Sequence, residues 1–102
     1  MTYEEQLNQI ELNWTDSFNA YNTSYHIWKD GMNDLNKEAK ENNGIPKYET
    51  EMKVDELGKE VLRLSIIFNV FRDERKSFFE YIRKNNIHPL SNDWYIECQW
   101  IL

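Results

Sequence analysis

Few side chains in this sequence have the type and spacing to do chemistry. Arg83 is followed after four residues by His88, while the other histidine, His26, and the single cysteine, Cys98, stand apart from that pair. A structural zinc site needs four nitrogen or sulfur ligands and a Cys-His nucleophile needs its two groups in register, so neither is expected. The carboxylate doublets Glu4-Glu5, Asp55-Glu56 and Asp73-Glu74 are sequence neighbours, which on a helix point in different directions, and the Glu-x-x-His pairs of a di-metal bundle are missing. Gly31, Gly44 and Gly58 are isolated, which leaves no glycine-rich phosphate loop. The expectation is a chain with no metal and no cofactor.

The elements that must position these residues are clearer. Leu7, Trp14, Tyr21, Trp28 and Leu35 recur every seventh residue, with Phe18, Tyr25, Met32 and Ala39 four residues after members of that set. That is the 3-4 alternation of a helix packing along a seam. Thr2 and Glu5 fit a capping box, so helix 1 is expected from about residue 3 to residue 42. Asn42-Asn43-Gly44 suits a left-handed cap, with Ile45 folding back as its apolar partner. After a turn at residues 43–46, Val54, Leu57, Val61, Leu64, Phe68, Phe71, Phe78 and Ile82 repeat the same spacing and predict helix 2 over about 47–85. Alternation between Leu62 and Val70 also fits a strand, but helix formers continue on both sides without turn residues.

The spacing therefore predicts an all-α fold: one domain built as a long antiparallel helical hairpin, completed by dimerisation. Centring the turn near Gly44 places Trp28 near Val61, Tyr21 near Phe68 and Gly31 opposite Gly58, where the backbones would approach or bend unless the alignment is accidental. Each stripe has one charged interruption, Glu11 and Arg75, about one turn apart across the seam. An ion pair, or Arg75 over the Trp14 ring, would keep either charge from burial alone. The C-terminal segment 90–102 is expected to be an extended tail or, the form favoured, a short helix capped by Ser91 or Asn92, with Trp94, Cys98, Ile101 and Leu102 on its apolar side. Trp94, Ile96, Cys98, Trp100 and Leu102 also alternate as a strand would, but no second strand is evident to pair with it. In either form its apolar groups must be covered by the hairpin or by a second chain.

Among 102 residues the formal charge is -6. It is uneven, with 13 acids against 6 lysines from Met1 to Glu60 and 5 acids against 6 bases from Val61 to Leu102. An acidic protein repels phosphate backbones, so direct nucleic-acid binding is not expected, and an acidic surface instead favours a basic protein partner. No apolar run is long enough for a membrane span and no leader pattern opens the chain, so the expected place is the cytoplasm, where a lone Cys98 stays reduced. Arg72, Arg75, Lys76, Arg83 and Lys84 form one local excess of base, read as cations at the negative end of helix 2.

Two resemblances bear on function. The spacing of Arg83 and His88 resembles the minimal Arg-His motif of the HEPN ribonucleases, all-α dimers in which those two side chains meet at the subunit junction to cleave RNA. The resemblance spans six residues, and it departs from the family where Lys84 replaces the usual polar residue and Pro89 follows His88 in a loop. It implies Arg83 and His88 as a catalytic pair. The hairpin's length is similar to that of the WXG secretion partners, but the Trp-x-Gly turn is replaced by Asn43-Gly44-Ile45-Pro46. The reading favoured by the residues themselves is a small acidic, non-enzymatic protein-protein interaction module. Its composition, rich in Asn, Lys, Ile and Glu, suits an inhibitor or regulator of the phage or mobile-element accessory type. Asp30, Asp34, Glu38 and Glu41 near the turn, and Ile66, Ile67 and Val70 on helix 2, are the expected partner-binding residues.

Overall fold

The computed structural model describes residues 1–100; Ile101 and Leu102, assigned above to the apolar side of the tail, lie outside the described residues. Two long helices, α1 (Tyr3–Glu41) and α2 (Tyr48–Lys84), form a hairpin, followed by a one-turn 3-10 helix, η1 (Asn92–Tyr95). The chain divides into two units. Unit 1 comprises Met1–Ser17 and Phe68–Leu102, and unit 2 comprises Phe18–Ile67.

Helix α1 starts as its sequence dictates, with the Glu5 backbone N–H donating to Thr2 Oγ1 at 3.2 Å. The reciprocal half of the capping box differs: the Thr2 hydroxyl lies 3.4 Å from the Glu5 carboxylate. At the other end, Asn43 takes the left-handed position with φ 58°, and Gly44 N–H donates to Ala39 C=O at 2.6 Å. This is a Schellman closure placed one residue earlier than expected. Gly44, with φ 90°, therefore occupies the position where an apolar side chain would fold back, and Ile45 is left 71% exposed. The fold-back occurs instead at the end of α2. There Asn86 is left-handed with φ 54°, Ile87 N–H reaches Ile82 C=O at 3.1 Å, and the Ile87 side chain packs on the core.

Unit 1 holds a contiguous core of Tyr3, Ile10, Phe78, Ile82 and Trp94, edged by Leu7, Tyr81, Ile87, Cys98 and Trp100. The tail supplies its cover. Of the two forms open to it, a short helix or an extended tail, it takes a little of each: after one 3-10 turn, Ile96 is extended, and Glu97 makes an isolated antiparallel bridge to Thr2. The backbone before α1 is thus the mate that the tail lacked in sequence. Cys98 N–H donates to Met1 C=O at 2.7 Å, Gln99 N–H to the Tyr3 hydroxyl at 3.3 Å, and the Met1 ammonium pairs with Glu97 at 2.6 Å. That hydrogen bond raises the Met1 amine above its ordinary value, so the tie is present below the usual amine range and released as pH rises through the raised one. Trp100 closes the core edge-on against Phe78, with ring centroids 5.3 Å apart.

Unit 2 is different in kind. Val54 is its one buried apolar residue among the described residues. Along its seam the glycines do not face each other; each receives a side chain. An added Cβ at Gly31 would meet Leu57 at 3.3 Å and Val54 at 3.4 Å, and one at Gly58 would meet the Trp28 indole at 3.3 Å. Trp28 therefore lies against Gly58, about one turn from the expected Val61.

Replacing Gly44 by alanine forces a Cβ onto a positive-φ backbone with nothing nearby to pack on. Chemical denaturation should show a loss of about 1 kcal/mol, the ordinary cost of that conformation for an L side chain; an equal or higher midpoint would contradict the cap described here.

Candidate interaction surface

The charged interruption of the seam is the best-defined polar feature of unit 1. Arg75 Nε donates to Glu11 Oε1 at 2.8 Å, and the guanidinium carbon lies 4.9 Å from the Trp14 ring centroid and 5.0 Å from that of Phe79. Both expected contacts of Arg75 are therefore made together, and Phe79 adds a second aromatic surface. The planar cation is held by two ring faces while one of its donors is spent on the carboxylate. Both partners remain more than a third exposed, so solvent screens the pair and its value lies mainly in fixing the register.

Phe79 escaped the sequence reading because its neighbour Phe78 fits the apolar stripe and it does not. Its position four residues after Arg75, on the same side of the helix, was the available signal. Arg72, Arg75, Lys76, Phe79, Glu80 and Arg83 together line a groove, so four of the five bases of the cluster share one surface and Lys84 lies outside that lining. His88 is outside that lining. It sits in the loop after α2, where its Nδ1 accepts the Leu90 backbone N–H at 3.1 Å and its carbonyl accepts the Ser91 hydroxyl at 2.8 Å.

In unit 2, Asp34, Glu38 and Glu41 line a cleft beside the turn, together with Lys37, Lys47 and Lys53. Three carboxylates and three ammoniums thus share the cleft. Glu38 is already committed within the chain, accepting the Thr50 hydroxyl at 3.0 Å and the Lys47 backbone N–H at 3.4 Å. It satisfies donors at the start of α2 and ties the turn together. Asp30, Asp34 and Glu41 are exposed.

The apolar candidates are distributed as follows. Ile66 is 57% exposed and Val70 59%, while Ile67 is half-buried; Leu62, at 62%, extends the series at four-residue spacing along α2. A second apolar strip in unit 2 involves Ala20, Thr23 and Ile27 of α1 with Leu57 and Leu64 of α2. Among the described residues, no helix is long and apolar enough to cross a membrane, and no cluster of three or more His, Cys, Asp or Glu could hold a metal ion.

No protein-family model, curated protein or solved structure matches this chain.

Changing Arg75 to lysine keeps the charge but removes the planar group that lies between Trp14 and Phe79. The fold should be retained at a cost of about 1 kcal/mol in denaturant unfolding, because an ammonium cannot reproduce the stacked geometry. No loss of stability would show that the two ring contacts are incidental.

Proposed function

We propose that this chain is a non-enzymatic protein-protein interaction module, an inhibitor or regulator that acts by binding a partner protein inside the cell. The observation that carries the reading is the contrast in burial between the units. Unit 1 buries Tyr3, Ile10, Phe78, Ile82 and Trp94, whereas unit 2 buries Val54 alone among its described apolar residues; both units leave apolar side chains exposed, Phe18, Tyr25, Ile27, Met52, Leu62 and Ile66 in unit 2 and Leu12, Val70, Leu90 and Tyr95 among those of unit 1. Apolar surface of this extent on a small protein marks a surface that another macromolecule covers.

Asp30, Asp34 and Glu41, exposed on α1, supply the charge that steers a basic partner during encounter, and Glu38 holds the turn that presents them. This division of roles follows from Glu38's hydrogen bonds and refines the four-carboxylate surface expected above. Steering of this kind acts on the association rate and is screened by salt. A small accessory protein of a phage or mobile element, engaging a host enzyme without catalysis of its own, fits this chemistry.

Affinity capture from cells that encode the chain tests the proposal. The expected result is a basic protein retained in stoichiometric amount, with an association rate that falls several-fold when Asp30, Asp34 and Glu41 are changed to lysine and again in 1 M salt. No specific protein in the eluate would overturn it, as would RNA cleavage by the purified chain that disappears in His88→Ala.

A further inference from the structure

Within unit 1, bases and one aromatic ring share a face of α2. Arg72, Lys76, Phe79 and Arg83 follow one another at spacings of three and four residues, are all exposed, and line a groove with Arg75. We propose that this groove takes an acidic peptide segment of a partner protein, one that carries two carboxylates about two helical turns apart with an apolar side chain between them. The inference rests on the interaction-module reading but assigns a different contact from the one steered by the carboxylates of unit 2.

Arg75 shows what this surface does with a carboxylate. Its Nε donates to Glu11 at 2.8 Å while the guanidinium carbon lies 5.0 Å from the Phe79 ring centroid, so a cation resting on a ring holds the acid. Arg83 follows Phe79 by four residues, as Phe79 follows Arg75, which sets both guanidinium groups on the same face as the ring. Unlike Arg75, Arg83 has no ion-pair partner among the described residues, and neither has Lys76. Arg72 leans on Asp73 at 3.6 Å in an exposed pair, which an incoming carboxylate replaces at little cost. Phe79 stays 39% exposed, so apolar surface lies open among these cations.

The opposing charge decides the class of partner. Glu80 is the one acid of the lining; it is exposed and falls between Lys76 and Arg83, so it divides the bases into two positions. One is Arg72 with Lys76 and the other is Arg83, and Lys76 and Arg83 are about 10 Å apart along the helix at 1.5 Å per residue. A nucleic-acid backbone carries charge at every nucleotide and would set phosphate against Glu80, and the formal charge of -6 repels it as well. Two separate carboxylates, one at each position, leave Glu80 unopposed, and an uncharged side chain between them lies on Phe79. Arg83 offers its carboxylate a bidentate fork, and Lys76 offers a point charge.

The test titrates the full chain, isotope-labelled for NMR, with a capped helical peptide whose only charges are two glutamates two turns apart, with leucine between them. Resonances of Lys76, Phe79 and Arg83 should shift and saturate, and the same peptide with glutamine for both glutamates should bind several-fold more weakly. Arg83→Gln and Lys76→Gln should each weaken binding several-fold with helicity unchanged by circular dichroism. Glu80→Gln should strengthen it, because the charge that opposes the peptide is gone. Absence of a saturable shift, equal binding of the glutamine peptide, indifference to either base substitution, or no gain from Glu80→Gln overturns the inference. A single-stranded RNA oligonucleotide that binds these residues more tightly than the peptide overturns the choice of partner. The steering contact of unit 2 is read separately, by the lysine substitutions at Asp30, Asp34 and Glu41, so failure of one leaves the other standing.

Discussion

A two-helix hairpin offers one seam, and this sequence carries more apolar surface than one seam can bury. Everything distinctive in the structure follows from where that excess is covered. In unit 1 the tail covers it: Trp94 and Trp100 lie over Phe78 and Ile82, and the backbone at Glu97 and Cys98 is fastened to Met1 and Thr2. In unit 2 no described segment outside the two helices does so, and the buried apolar set among the described residues shrinks to Val54. A short helical pair with so little buried area has little to set against the conformational entropy of ordering it.

The register of the seam depends on a few specific contacts rather than on the stripes as a whole. Heptad-like stripes tolerate slippage by a turn, because one aromatic group replaces another. The Glu11–Arg75 pair resists such a shift, since slipping one helix by a turn would leave Arg75 off the Trp14 ring and Glu11 without its donor, while the contact with Phe79 travels with α2. The glycines do the same in unit 2. Gly58 makes room for the Trp28 indole, and Gly31 for Val54 and Leu57, so residues that weaken an isolated helix set the spacing of two packed ones.

Much of this was legible in the residues. Both helix boundaries fell within a residue or two of those inferred from Thr2, Asn43 and Gly44, Pro46 and Asn85-Asn86, because caps and breakers act locally. The pairing of Glu11 with Arg75 was legible because a charge on an apolar stripe needs a partner. What local pattern could not supply was the conformation of the tail. Trp94, Ile96, Cys98 and Trp100 fitted two periodicities, and the deciding partner, the backbone at Thr2, lies almost the whole chain away. The fold-back of Ile45 failed for a finer reason. Either Asn43 or Gly44 could take the left-handed position, and the choice of Asn43 displaced every later position of the cap by one. Among the candidate site residues, Asp34, Glu38 and Glu41 do share a cleft, but the hydrogen bonds that turn Glu38 inward depend on Thr50 and Lys47, which only the closed turn brings near.

The uneven cover of the two units is the central claim, and residue-resolved amide hydrogen exchange tests it directly. On the protein at low micromolar concentration, amides around Ile10, Phe78 and Ile82 should exchange far more slowly than those around Tyr25, Val54 and Leu62. Protection in the second group should rise with protein concentration or on adding a bound partner, while that in the first stays constant. Equal protection of both groups at every concentration would contradict the account, because it would mean that the open apolar surface of unit 2 costs the fold nothing.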